Sequence, residues 1–71
     1  MKVYPVAVFD NYMAHALRRI ESGMTDTAIT WLNDARKIAE CMGWAQHVSH
    51  ITDTITDLWS GDYAEALARA A

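Results

Sequence analysis

Little in this 71-residue chain can brace a fold except packing, for it has one cysteine, one proline and three glycines. Cys41 is unpaired and closes no internal disulfide, so a reducing, cytoplasmic setting is expected. Pro5, the single proline, stands near the start, where it suits a first helical turn. Gly23, Gly43 and Gly61 are the only glycines and punctuate the chain into segments. Basic residues are scarce, six against nine acids, and they form no stripe of the kind that neutralises phosphates, so no nucleic-acid partner is expected. The apolar run at the N-terminus, Val6 to Phe9, stops at Asp10. It is too short for a secretion signal or a membrane span, and no membrane partner is expected.

Apolar side chains, in contrast, are plentiful. They make up 52% of the chain, with 12 alanines and three tryptophans among them, which excludes a disordered tract. A chain of this length forms a single domain over residues 1–71, and such a domain buries only about 60% of the surface its unfolded form exposes. Its core is therefore marginal, and help from a second chain is expected. Charge is uneven: Glu40, Asp53, Asp57, Asp62 and Glu65 face only Arg69 after residue 37, whereas bases slightly outnumber acids before it. We read that asymmetry as a solvated surface, in preference to head-to-tail or antiparallel pairing of two chains.

The apolar spacing predicts helices. Val6, Phe9, Met13, Ala16, Leu17 and Ile20 recur at three and four, which is one helix face, ended by Gly23. Val3, Tyr4, Val6 and Val8 are strand formers, so a start at Asp10 competes with a start at Pro5; we take the longer helix. A second helix is expected from a Thr25 cap, with Ala28, Leu32, Ala35, Ala39 and Met42 as its seam and Trp31 and Ile38 widening it, until Gly43. A third runs from Trp44 to Trp59, with Trp44, Val48, Ile51, Ile55 and Leu58 at heptad spacing. Its β-branched residues give it poor propensity, so it is expected to need a surface to form against, which makes it the candidate dimer seam. Asp62 with Glu65 three residues on is a capping box opening a short fourth helix. The fold class is thus all-α, a small bundle of three main helices and a short C-terminal one.

Two stretches repeat. "SGMTDTAI" at residues 22–29 and "SGDYAEAL" at 60–67 superpose Gly23 on Gly61, and with them Met13 on Ile51, Leu17 on Ile55 and Ala28 on Ala66. The duplicated unit is a helix pair. Residues 58–67, an aliphatic followed by Gly-Asp-Tyr, two spacers and Ala-Leu, resemble the middle of a tetratricopeptide repeat, and residues 17–39 resemble a looser copy. Met24 and Thr25 stand where that pattern has Asp-Tyr, and about one and a half repeats are present where roughly three make a stable stack. The resemblance implies recognition of another protein, with a second copy of the chain completing the stack.

Residues that carry chemistry are few. Cys41, His47 and His50 fall within ten residues, but their spacing matches no familiar zinc pattern, and we read them as a small buried thiol and two half-exposed imidazoles; no metal or cofactor is expected. Arg18 and Arg19 are read as complementing a helix C-terminus, with Arg18 pairing Glu21. No enzyme is expected. Two classes remain: a homodimeric protein-binding module, an inhibitor or regulator of another protein, and a small helix-turn-helix regulator, which the acidic second half disfavours. In size and makeup the chain is similar to helical accessory proteins with which bacteriophages inhibit host regulators. The candidate interface comprises Trp31, Ile38, Trp44, Val48, Ile51, Ile55, Leu58, Trp59 and Tyr63, with Trp31 and Tyr63 foremost among residues left for a partner.

Overall fold

Three glycines end three helices in the same way. In the computed structural model, which describes residues 5–70, α1 spans Pro5–Glu21, α2 Thr25–Met42, α3 Ala45–Trp59 and α4 Tyr63–Ala70, and no strand occurs among the described residues. Gly23, Gly43 and Gly61 each have φ between 72° and 77°, the left-handed region that a Cβ disfavours. Each glycine N–H donates to a carbonyl three residues back (Ile20, Glu40, Leu58), and the next N–H reaches five back: Met24 to Arg19 at 2.8 Å, Trp44 to Ala39 at 2.9 Å and Asp62 to Asp57 at 2.9 Å. These are three Schellman endings, which satisfy otherwise orphaned carbonyls. The repeat visible between residues 22–29 and 60–67 therefore extends to the Gly43 turn, where the sequence around the glycine is unlike the other two.

Gly61→Ala isolates the backbone term, because an added Cβ would meet nothing within 4 Å. The expected cost is about 1 kcal/mol, read as a fall in melting temperature of about 4–8 °C.

Turns this short force consecutive helices antiparallel. His15 stacks on Trp31, Arg36 reaches Thr52, and Arg69 reaches Asp57, pairs that straddle the Gly23, Gly43 and Gly61 turns respectively. The Gly23 and Gly61 turns thus share one end of the bundle, and the Gly43 turn lies at the other. α4 also packs against α1, which closes the four helices into a ring.

Inside the ring sit Phe9, Ala16 and Ile20 of α1, Ala28, Leu32, Ala35 and Ala39 of α2, Ile51, Ile55 and Leu58 of α3, and Ala66 of α4. The alanines of α2 are fully buried, so their neighbours approach closely without leaving voids. The longer α1 is the observed one: Val6 and Val8 are helical, while Val3 and Tyr4 lie outside the described residues. Val6 and Met42, however, are not on the core faces assigned to them and stand about half exposed at the Gly43 end.

Local capping is weaker than the sequence suggests. Met24, not Thr25, occupies the N-cap of α2, and its side chain makes no capping bond. Asp62 Oδ1 accepts the Glu65 N–H at 3.3 Å, but the return half of the box is absent, since the Asp62 N–H serves the α3 ending and Glu65 turns to Arg69. α3 tolerates its threonines because their hydroxyls donate one turn back, Thr52 to Val48, Thr54 to His50 and Thr56 to Thr52. Thr54 is fully buried and its hydroxyl is satisfied in this way at 2.8 Å.

The heptad of α3 faces inward. Ile51, Ile55 and Leu58, expected on a dimer seam, are 0–4% exposed within the chain's own ring. The surface that α3 needs is supplied by α2 and α4, which flank it, so a second chain is not required to form it.

Candidate functional site

With the heptad consumed internally, the large apolar side chains left outside mark what the chain presents. Trp59, at the end of α3, is 74% exposed, and Tyr63, at the start of α4, is 51% exposed. They flank the Gly61 turn. The turn fixes them: Trp59 is the last helical residue before the Schellman ending and Tyr63 the first after it, so both project from the rim of the ring instead of into it. Met24 is exposed at the same end, on the Gly23 turn, with the Arg19 guanidinium 3.9 Å from its sulfur.

A charge cluster runs from this corner back along α3 and α4. Arg69, from the last turn of α4, reaches back to α3, its Nε donating to Asp57 Oδ2 at 2.6 Å, with Asp53 at 3.8 Å and Glu65 at 3.6 Å. The Asp57 hydrogen bond, supplemented by the charges of Glu65 and Asp53, raises the Arg69 pKa above its ordinary value. The Arg69 carbonyl in turn meets His50 Nε2, so both ends of this residue tie α4 to α3. The acidic second half of the sequence therefore folds three carboxylates onto one guanidinium. Asp62, Glu21 and Asp26 lie at the same end and form no ion pair among the described residues. Arg18 and Glu21, expected to pair, do not.

The other expected interface residues are distributed. Trp31 of α2 is half-buried and packs against the core, stacked on His15 with centroids 4.5 Å apart and tilted against Tyr12 at 5.4 Å. Trp44 is the N-cap of α3 and meets Phe9 edge-on at 5.5 Å, and Val48 is half-buried one turn further along. Ile38 packs on the core and helps line a shallow depression with Pro5, Val8, Cys41 and Met42. Cys41 is exposed there, contrary to the buried thiol expected. His47 packs against the Phe9 ring at 4.9 Å while His50 faces Arg69, so Cys41, His47 and His50 do not converge; among the described residues no three side chains of ligating type form a metal-holding group.

Sequence reasoning missed Met24, Phe9 as the partner of Trp44, and the Arg69 cluster. The last left a trace, since Asp53 and Asp57 lie one helical turn apart on α3 and Glu65 and Arg69 one turn apart on α4. No helix of the described residues is long and apolar enough to cross a membrane. Compared with known protein families, curated proteins and solved structures, the chain matches none.

Proposed function

We propose that the chain is a non-enzymatic protein-binding module, working as a homodimer that captures another protein and thereby inhibits or regulates it. The observation that supports this reading is the aromatic corner: Trp59 is 74% and Tyr63 51% exposed beside the Gly61 turn, while the core is filled without them. Tryptophan and tyrosine supply large contact area at small entropic cost and dominate binding hot spots. The α1–α2 and α3–α4 hairpins, joined by turns of the same geometry, support the likeness to tetratricopeptide helix pairs, whose use is recognition. An inhibitor of the bacteriophage accessory kind fits the same scale and surface. Dimerisation, in this reading, uses the Gly43 end, where Val6 and Met42 stand out beside the depression at Ile38 and Cys41.

The experiment is a pull-down from bacterial lysate with the intact protein, treated with nuclease, alongside light scattering of the pure chain. A stoichiometric protein partner that survives nuclease is expected, with a scattering mass twice the 8.0 kDa of one chain. Trp59→Ala is expected to keep the melting temperature within about 2 °C, as exposed side chains contribute little to folding, while capture falls about tenfold or more. Complexes that vanish with nuclease, or no capture at all, overturn the module reading, and a stable scattering monomer at micromolar concentration overturns the dimer.

A further inference from the structure

The geometry points to the Trp59–Tyr63 corner as a docking point for a cationic segment of another protein, one that carries arginine or lysine next to apolar side chains. This rests on the protein-binding reading and adds the chemistry of the partner. The rings themselves are the first argument. Exposed tryptophan and tyrosine faces attract guanidinium and ammonium groups while covering the apolar stems that carry them.

The second argument is the sign of the charge around them. Glu21, Asp26, Asp57, Asp62 and Glu65 lie at this end of the ring or within a helical turn of it, with Asp53 a turn further back along α3, against Arg18 and Arg19 at this end and Arg69 in the last turn of α4. Arg69 is already shared among three of those carboxylates, which leaves that cluster with a net negative charge. Asp62, between the two aromatic residues on the Gly61 turn, is exposed and free of any ion pair among the described residues. A cation approaching the rings is therefore attracted both by their faces and by the rim.

The same charges decide against a second copy at this corner. Two such ends brought face to face would oppose like carboxylates, with only Arg18 and Arg19 of each chain to offset them. Self-association is thus left to the other end of the bundle, and this one to a partner of opposite sign.

The test is a fluorescence anisotropy titration with two dye-labelled dodecapeptides, one alternating arginine with leucine and one alternating glutamate with leucine. Saturable one-to-one binding of the arginine peptide alone is expected, weakened about tenfold or more by Trp59→Ala. Asp62→Lys is expected to weaken it severalfold, and Asn11→Ala, an exposed residue of α1 in neither proposed surface, to leave it unchanged. Raising salt from about 50 to 200 mM is expected to weaken it further. Circular dichroism confirms that each variant is folded. Equal binding of both peptides, no saturation, or indifference to Trp59→Ala overturns the inference, and so does self-association in sedimentation equilibrium that Trp59→Ala abolishes. Failure is separable from that of the module reading: if the wild-type and Trp59→Ala proteins pull down the same partner equally, the module stands and the cationic docking point falls.

Discussion

Ile55→Asp is expected to abolish the helical signal of the protein at room temperature. The side chain is 4% exposed, enclosed by the ring, and α3 is the helix least able to stand alone, with β-branched residues through its length. An unpaired carboxylate there costs several kcal/mol, comparable with the whole stability of a 71-residue domain, about 4–10 kcal/mol. Far-UV circular dichroism reads the effect. Ser49→Asp is the control, because that residue of α3 is exposed and away from its C-terminal turn, and the same charge is expected to change stability by no more than about 0.5 kcal/mol. The outcome that would overturn this account is an Ile55→Asp protein of full helicity and halved scattering mass. That result would move Ile55 from the chain's own core to a seam between two chains.

Leu32→Ala is the second large effect. Leu32 is the bulkiest fully buried side chain of α2 and is flanked along its face by Ala28, Ala35 and Ala39, all fully buried. Alanines have nothing to extend into a void, so the cavity is expected to stay open and the cost to lie near the upper part of the usual range, about 3–5 kcal/mol. Urea denaturation should show a lower midpoint with an unchanged slope. Ile29→Ala, on the same helix but only half-buried, is expected to cost clearly less. Equal losses at the two positions would mean that α2 is loosely seated and that the ring lacks the packing density described.

How much of this was legible beforehand differs from element to element. α1, α2 and α3 were readable because each keeps a three-and-four apolar spacing for about four turns, and a period sustained that long is fixed by local geometry. The three glycines were equally readable as stops, since only a residue without Cβ accepts φ near 75° at no strain. Asp62 was readable as a cap. Whether Glu65 would complete the box was not, because Arg69 competes for its carboxylate and lies on another turn of the helix.

The sequence by itself therefore determined that the helices form, that each of the first three stops at a glycine, and most of the apolar stripe of each. What covers each stripe was decided only by tertiary structure. The heptad of α3 read as a surface awaiting a second chain, yet Ile51, Ile55 and Leu58 are covered by the chain's own α2 and α4. Periodicity gives the direction of a face along one helix and is silent on its neighbour. Here the neighbour was set by α4, eight residues long, which packs on both α3 and α1 and is held by Arg69. The exposed pair Trp59 and Tyr63 follows from the same event. With the ring closed by smaller side chains, two aromatic residues at its rim had no place inside, and they became the surface on which binding is proposed.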